Sequence, residues 1–545
     1  MSAVVEKLHS RIAEVLGRRF VTDDAERLEA YSRDAWSRVF LAAREGCSTP
    51  SPDLVAWPAD VEQVAAIMGL ARQAGCPVVP YGAGSGVCGG TYLLDGGLII
   101  DLKRIDHVGT VDRQDRLVEV GAGALGEHFE RRLALQGFTC GHFPSSMYCS
   151  TVGGWLAARS AGQMSSRYGK IEDMVSGLTF VDGTARIRRL GARPRAGAGP
   201  DLIQTVVGSE GTLGAVTDAV LRVHRAPAVR RMRGVLMPSL ESGVEAVRKM
   251  FQAGHRPAVV RLYDPLDTLV NKGKGTDTGG GVVSFLRRGL GKALPKSGKG
   301  NKRRTRSAIV DAVLTRPRFF GELLDRAAGS CMLVLGSEGQ DARLVDYEAR
   351  EILSISLRLG GLDLGEAPGE HWLSHRYSVS FKLTPALDMG LFVDTLETAA
   401  TWGRVLGLYH AVRQAVREHG FVMAHFSHAY EEGCSIYFTL AGSAPDLQGS
   451  EEAYDRLWRA ALDAVVAGGG TISHHHGVGM SKQAFMHKEH GEGGMVLLRA
   501  LKKALDPDGI MNPGKLGLGG GPELPGAPWR VTRAGSGRGG WKVAA

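Results

Sequence analysis

The chain has 545 residues, of which 43% are hydrophobic and 23% are charged, and its formal net charge is +9. This length predicts two or three domains with large buried cores. The composition is typical of a globular protein, and no window approaches the roughly 18 to 20 uninterrupted apolar residues that a membrane-spanning helix requires.

The N-terminal segment and the cysteines predict a cytoplasmic protein. Residues 1–48 are predicted as a helical lead-in, because "MSAVVEKLHSRIAEVLGRRF" has apolar residues at helical spacing and lacks the apolar core and cleavage site of a secretory signal. The seven cysteines show neither the close pairs of a zinc site nor the density of a disulfide scaffold. We therefore expect reduced thiols and no metal site.

Residues 49–228 form the next predicted domain. Its first helix has an apolar stripe that ends at Gly75, and the short strand "PVVPY" then enters a glycine cluster. Further strand-like runs are "GGLIIDL", "RLVEVGAG", "MVSGLTFVDG" and "GAVTDAVLRVHR". The break at "RAPAVRR" near residue 226 predicts a domain boundary.

Residues 229–470 are predicted as a second, α+β domain that binds the substrate. Its strands include "RGVLMP", "CMLVLGSEG" and "CSIYFTLAG", and "AYDRLWRAALDAVVAGGG" is predicted as a helix. Residues 471–516 contain "SHHHGVG" and a helix that ends at Asp-Pro and Asn-Pro-Gly turns. Residues 517–545 are rich in glycine and proline, which predicts a disordered tail.

A basic insertion at 272–306 contains eleven Lys or Arg residues and one acidic residue. Its glycine and lysine content favours a solvated insertion. Contact with an anionic membrane surface is the second interpretation, so the expected location is cytoplasmic with a peripheral membrane contact. Nucleic acid is not expected as a partner, because the run has almost no aromatic residues for stacking bases.

The glycine loop "PYGAGSGVCGG" is the first candidate site. Glycines at this density let backbone N–H groups turn toward one anion, which suits a pyrophosphate. Gly84, Gly86 and Gly89 match GxGxxG, but a dinucleotide-binding loop of that type opens a helix, whereas here the chain continues to the strand-like "GGLIIDL". The predicted cofactor contacts in this loop are Pro80, Tyr81, Gly82, Ala83, Gly84, Ser85, Gly86, Val87 and Gly90.

Two later segments, "GHFPSSMYCSTVGGWLAARSAG" and "GSEGTLGAVT", add further Ser, Thr and Gly donors. Three such segments in this order resemble the FAD-binding domain of the vanillyl-alcohol oxidase/PCMH flavoprotein superfamily. The resemblance implies an α+β fold with a two-subdomain FAD-binding domain and an α/β substrate (cap) domain, after which a C-terminal segment returns to the FAD domain. It also implies cofactor contacts at Pro144, Ser145, Ser146, Ser150, Thr151, Gly153, Gly154, Trp155, Glu210, Gly211, Thr212, Leu213, Gly214 and Val216.

Within that superfamily, "GHFPSSMYCSTVGGW", "RYGKIEDMV", "GSEGTLG", "CSIYF" and "GGTISHHHGVG" are most similar to the alkyldihydroxyacetonephosphate synthases. The resemblance implies a redox-neutral exchange of the acyl chain of acyl-dihydroxyacetone phosphate for a fatty alcohol, with FAD holding the reacting carbon. A FAD-linked D-2-hydroxyacid dehydrogenase is the alternative, and a flavin-binding protein without catalysis is the third reading. FAD is expected to be bound non-covalently, because Ser85 stands where covalent members have a histidine, and Cys149 is expected to be a free thiol.

Three adjacent imidazoles, His474, His475 and His476, are candidate catalytic groups. In an extended segment the first and third would share one face, and either could shuttle a proton or bind an anion. The alternative is a metal-binding or incidental cluster, although no cysteine and no evident further ligand lies nearby in sequence.

The other catalytic candidates are Tyr437, His142 and Arg376. By resemblance, Tyr437 matches an essential tyrosine of the synthases and His142 a histidine of the active site. Arg376 is a candidate for binding a substrate phosphate or carboxylate with two hydrogen bonds. Each also has a structural alternative, as a packed side chain or an ion pair. The expected partners are a lipid or small anionic substrate and a second copy of the chain in a homodimer.

Overall fold

The computed structural model describes residues 3–44, 49–94, 96–272, 329–377, 391–443 and 447–519. They divide into two compact units. The first comprises residues up to Gly162, Tyr168–Ala226 and the chain from Ile472, and the second comprises Gln163–Arg167 and Pro227–Thr471. The predicted basic insertion, except for Lys272, and the predicted tail beyond residue 519 lie outside the described residues.

The first unit contains two four-stranded sheets. One has the order β1-β2-β4-β3, in which β2, β4 and β3 are parallel and β1 is antiparallel to β2. The other is antiparallel, in the order β5-β9-β7-β8, and β6 pairs separately with β10. The strands are β1 (Val21–Thr22), β2 (Leu54–Ala56), β3 (Val78–Tyr81), β4 (Leu98–Asp101), β5 (Leu117–Gly121), β6 (Phe138–Thr139), β7 (Val175–Asp182), β8 (Ile187–Leu190), β9 (Gly214–Arg222) and β10 (His224–Arg225).

Amphipathic helices close the core of this unit. The helix over Val61–Gln73 begins at Asp60, whose carboxylate accepts from the backbone N of Gln63, and it buries Ile67 and Met68 against β2 and β4. The helices are α1 (Ala3–Leu16), α2 (Ala25–Glu29), α3 (Ser37–Arg44), α4 (Val61–Gln73), α5 (Gly126–Ala134), α6 (Val152–Ala158), α7 (Ser165–Tyr168), α8 (Ile171–Met174) and α9 (Leu202–Val206). Helix α7 is shared, because Ser165–Arg167 belong to the second unit and only its last residue, Tyr168, belongs to the first.

The second unit is built on a seven-stranded antiparallel sheet in the order β14-β11-β13-β12-β16-β17-β15. The strands are β11 (Val229–Met237), β12 (Val259–Tyr263), β13 (Cys331–Gly339), β14 (Leu362–Asp363), β15 (Leu391–Thr401), β16 (Phe421–Ala429) and β17 (Gly433–Ser443). The helices are α10 (Leu240–Gln252), α11 (Pro265–Lys272), α12 (Ala342–Arg358), α13 (Ala367–His375), α14 (Trp402–Val416) and α15 (Leu447–Ala467). After Thr471 the chain enters the first unit. The last described helix there is α16 (Met486–Leu505).

The two faces of the seven-stranded sheet differ in chemistry. Leu262 and Phe426 face the helices, where Phe426 and Phe438 pack against the ring of Tyr409 on α14. Because side chains alternate along a strand, Tyr263, His425 and Tyr437 lie on the opposite face. Arg261, two residues before Tyr263 on β12, lies on this face as well.

The predicted α+β class is confirmed, and so are the strands and helices quoted above. Residues 82–94 form turns and lead to β4, which agrees with the rejection of a dinucleotide-binding loop of the GxGxxG type. The lead-in at 1–48 was predicted as helix and loop, and it also contributes β1, whose Val21 and Thr22 pair with β2. None of the described helices has both the length and the hydropathy needed to span a membrane.

Candidate active site

The first glycine loop leaves β3 at Tyr81. Lys103 fixes its start, because its Nζ donates to the carbonyl of Gly82 at 2.7 Å and to Asp101 Oδ2 at 2.6 Å. Gly89 has φ +74°, and a Cβ atom there would lie 2.8 Å from the ring of Trp36. Only glycine fits both the backbone conformation and the space at that position.

The second loop surrounds the start of α6. Thr151 caps this helix by accepting from the backbone N of Gly154 at 3.3 Å. Ser150 Oγ donates to the carbonyl of Ser146 at 2.9 Å and accepts from Trp155 Nε1 at 2.8 Å. The loop also touches the first one, because a Cβ atom on Gly82 would collide with the Thr151 side chain.

The third loop, Gly208–Gly214, joins the other two. The backbone N of Glu210 donates to the carbonyl of Ala157 on α6 at 3.0 Å. Asn512, from the C-terminal segment, donates through Nδ2 to the carbonyls of Gly90 at 2.9 Å and Glu210 at 2.6 Å. The three segments predicted from sequence therefore meet within the first unit.

The histidine segment is bonded to the same loops. Glu210 accepts through its two carboxylate oxygens from the backbone N atoms of Val478 at 2.5 Å and Gly479 at 2.8 Å. The backbone N of Met480 donates to the carbonyl of Cys88 in the first glycine loop at 2.7 Å. Glu210 is predicted from the resemblance as a cofactor contact, whereas in the structure its carboxylate bonds the histidine segment.

The three imidazoles contact one another in a bend. The Nδ1 atoms of His474 and His475 lie 2.9 Å apart, and the rings of His475 and His476 are in edge contact with centroids 4.5 Å apart. The segment is not extended, because it bends at all three residues and the side chains cluster, so the alternation that an extended segment would give does not occur. Two ring nitrogens form a hydrogen bond only when one is protonated and the other is not. One proton is therefore shared between His474 Nδ1 and His475 Nδ1.

Buried charges lie beside this junction. Burial raises the pKa of Glu210, while its two backbone donors and Lys482 and Lys515 oppose the rise. Burial lowers the pKa of Lys515 to about 8 and raises that of Asp34 to about 6. Since Lys515 attracts both carboxylates, these groups form one charge network.

His142 lies fully buried in the first unit. Its Nε2 atom is 2.8 Å from Ser160 Oγ, and its ring packs at 4.6 Å from that of Trp155. Its active-site role stays a prediction.

The loops fit a flavin dinucleotide. The segment 82–90 contains five glycines and no acidic residue, so its backbone can approach a pyrophosphate closely. The Cys88 thiol is buried, and the Ser85 hydroxyl is a weaker nucleophile than an imidazole. Neither residue is therefore suited to form a covalent bond with the flavin. Partial burial raises the pKa of the Cys149 thiol, which keeps it protonated.

Tyr437 lies in the second unit, on β17. Burial raises its pKa to about 12, although a hydrogen bond with Thr395 and the positive charge of Arg261 oppose the rise. The phenol is therefore neutral at neutral pH and able to donate a proton. Its ring stacks on His425 at 4.7 Å with an interplanar angle of 17°.

Arg261 and His425 are not among the candidates predicted from the sequence. Arg261 Nη2 lies 2.7 Å from His425 Nε2, and His425 Nδ1 lies 3.3 Å from Asp267 Oδ2. Two sequence features could have indicated them: the charged Arg261 within the apolar run "AVVRLY", and the alternation of polar and apolar residues in "MAHFSH", which contains His425. Neither run shows by itself that β12, β16 and β17 are neighbours.

Arg376 follows α13 in the second unit. Its carbonyl accepts from Gln163 Nε2 at 3.1 Å, and its guanidinium lies 4.7 Å from the ring centroid of Tyr377. Its predicted role in binding an anion stays a prediction.

Comparison with known proteins gives two family matches. The FAD binding domain model matches residues 52–191, and the model for the C-terminal domain of FAD linked oxidases matches residues 226–516. The alkyldihydroxyacetonephosphate synthase of Dictyostelium discoideum is 30% identical over 88% of this chain and 75% of its own length. That of Trypanosoma brucei brucei is 30% identical over 92% of this chain and 79% of its own length.

The chain belongs to the alkyldihydroxyacetonephosphate synthase family. A solved structure of an alkyldihydroxyacetonephosphate synthase agrees, with a TM-score of 0.73, 25% identity, and coverage of 94% of this chain and 86% of that one. The predicted family and two-subdomain FAD-binding architecture are thus confirmed, and the cofactor is FAD.

Proposed function

We propose that the protein exchanges the acyl chain of acyl-dihydroxyacetone phosphate for a long-chain fatty alcohol. The observation that supports this most directly is the 30% identity to two synthases along nearly the whole chain. Among the described residues, the histidine triplet and Tyr437 supply proton-transferring groups of the kind that this exchange needs.

Each group has a distinct part in the proposed reaction. When bound, FAD supplies an electrophilic ring to the reacting carbon. The glycine loops hold the cofactor through their backbone, and Glu210 and Asn512 fix those loops relative to the histidines. Tyr437 donates or returns a proton, and the paired rings of His474 and His475 hold a second one. Positioning and proton transfer are the contributions of the protein.

The test is conversion of palmitoyl-dihydroxyacetone phosphate and hexadecanol to the alkyl product without an electron acceptor. The proposed function predicts alkyl product and free palmitate in equal amounts, because one fatty acid leaves for each alcohol added, and it needs no acceptor because the exchange is redox-neutral. Reduction of a dye by D-lactate or D-2-hydroxyglutarate, with no alkyl product, would replace the synthase with a FAD-linked D-2-hydroxyacid dehydrogenase. This alternative is kept because the C-terminal match is to FAD linked oxidases in general.

We propose that FAD is bound without a covalent link. Ser85 and the protonated Cys149 thiol support this. Denaturation in acid followed by filtration should release all of the flavin into the filtrate. Yellow colour remaining with the precipitated chain would contradict the proposal.

We also propose a cytoplasmic, peripheral protein whose basic insertion contacts anionic membranes, and a homodimer as its assembly. Each basic residue near such a surface adds about 1 kcal/mol of attraction, which salt screens. Replacing Lys302, Arg303, Arg304 and Arg306 with Gln should weaken sedimentation with phosphatidylserine vesicles and leave flavin content unchanged. Unchanged sedimentation would contradict membrane contact, and a monomeric mass in light scattering would contradict the dimer.

A further inference from the structure

A hydrogen-bonded chain of three side chains lies along the face of the seven-stranded sheet that carries Tyr263, His425 and Tyr437. Arg261 on β12 lies 2.7 Å from His425 Nε2, and His425 Nδ1 lies 3.3 Å from Asp267 on α11. His425 and Asp267 are buried. A buried chain of this kind fixes the orientation of each side chain, because rotating any one of them away would leave a buried polar group without its hydrogen-bond partner.

The donors and acceptors determine the state of His425. A guanidinium group only donates, so the Nε2 atom facing Arg261 must accept and carries no proton. The neutral ring then has its proton on Nδ1, where Asp267 accepts it. Burial and the charge of Arg261 agree with this state, since both lower the pKa of His425 well below its usual value.

Strand register places this chain beside Tyr437. His425 pairs with Tyr437 across β16 and β17, and with Tyr263 across β16 and β12. The imidazole stacks on the phenol, and the charge of Arg261 favours the ionised form of that phenol. His425 thus contacts both Arg261 and Tyr437.

We propose that His425 is a positioning residue, whose neutral imidazole holds the Arg261 guanidinium beside the Tyr437 phenol for proton transfer. The inference rests on the proposed function through the role of Tyr437. It assigns His425 no contact with the substrate, and its effect is transmitted through the arginine.

Two conservative variants separate the contacts of His425. In His425→Gln the amide oxygen takes the place of Nε2, 2.7 Å from Arg261 Nη2, and still accepts from it. In His425→Asn the amide takes the place of Nδ1, which lies 3.4 Å from the same Nη2 and 3.3 Å from Asp267 Oδ2, so the short bond to the guanidinium is lost. Both lose the ring and both remain polar, so they differ in the arginine contact. We expect the Gln variant to keep kcat within about fivefold of wild type and the Asn variant to lose about 10- to 100-fold, with KM within about threefold for both.

Combination with Tyr437→Phe tests how the effect is transmitted. If His425 acts through Arg261 on the phenol, the double variant His425→Asn/Tyr437→Phe should be no slower than Tyr437→Phe alone. A merely structural role would give losses that multiply. His428→Asn is the matched control, because His428 is another buried histidine of β16, bonds to Ser165, and has φ +52°, which asparagine tolerates.

The outcomes separate this inference from the proposed function. Equal kcat for the Gln and Asn variants, or multiplying losses, would overturn the positioning role while wild-type exchange stands. If the wild-type protein instead reduces a dye with a D-2-hydroxy acid, the proposed function is wrong, and the same comparison is made in that reaction. Flavin content and melting temperature are measured for every variant.

Discussion

The two units hold their functional side chains in different ways. In the first unit the candidates lie on turns, and charged side chains bond the backbone of those turns, as Glu210 does at Val478 and Gly479. In the second unit Arg261, His425 and Tyr437 lie on neighbouring strands and contact one another, as Arg261 and His425 do through a hydrogen bond. Loops without a regular ladder need such links to hold one conformation, whereas a sheet positions its side chains through register.

This difference predicts that a lost side chain acts mainly on turnover in the sheet and mainly on stability in the loops. The largest expected effect is in the sheet. Tyr437→Phe removes one oxygen and keeps the ring that stacks on His425. Loss of general acid–base help typically lowers the rate by about 10² to 10⁴. We expect that loss in the exchange assay, with FAD content and melting temperature unchanged.

Tyr347→Phe is the control for this prediction, because Tyr347 is an exposed tyrosine on α12 of the same unit. Its exchange rate should equal that of wild type. Full exchange in Tyr437→Phe would remove the phenol from the mechanism.

The next largest effect is expected in the loops. Glu210→Gln replaces a half-buried carboxylate that accepts two backbone hydrogen bonds and is attracted by Lys482 and Lys515. A hydrogen bond to a charged group typically contributes about 1.5 to 3 kcal/mol. Urea unfolding should therefore show a loss of that order, together with weaker FAD retention on gel filtration.

The control is Glu492→Gln, which removes an exposed carboxylate paired with Arg499 at 3.1 Å. A surface pair of this kind contributes about 1 kcal/mol or less. Equal unfolding free energies for the two variants would show that Glu210 is not a structural link.

The smallest effect is the pH dependence of the buried network. The pKa of Asp34 is about 6 in the folded protein against an ordinary value of 3.8, so the folded state keeps a proton that the unfolded chain releases earlier. Stability from this group is present at low pH and is lost as pH rises through 6. Lys515, with a pKa of about 8, stays protonated while Asp34 loses its proton near pH 6.

The free energy of unfolding of wild type, measured relative to Asp34→Asn, should fall by about 1 kcal/mol between pH 5 and pH 7. Urea unfolding at the two pH values provides the measurement. A difference that stays constant, or that grows with pH, would show that Asp34 is ionised throughout the range.

Sequence alone predicted much of the fold and part of the site. Local patterns sufficed where the cause is local, as in the apolar stripe of α4 and the glycine loop after β3. The conformation of His474, His475 and His476 was not predictable from the sequence. The segment bends just before Val478 and Gly479, which bond Glu210, a residue far away in the chain. Arg261 and His425 were missed because a charged residue in an apolar run gives no indication of which strand lies beside it.

The sequence by itself determined the family, the α+β class, the cofactor type and the glycine positions. These properties depend on residue type, on short-range periodicity, and on motifs that can be recognised in the sequence alone. Only the tertiary structure decided that Glu210 and Asn512 join loops separated by about 300 residues, and that His425 lies between Arg261 and Tyr437. Those contacts depend on chain topology and strand register, which are set by the burial of whole apolar faces and not by the residues next to each site.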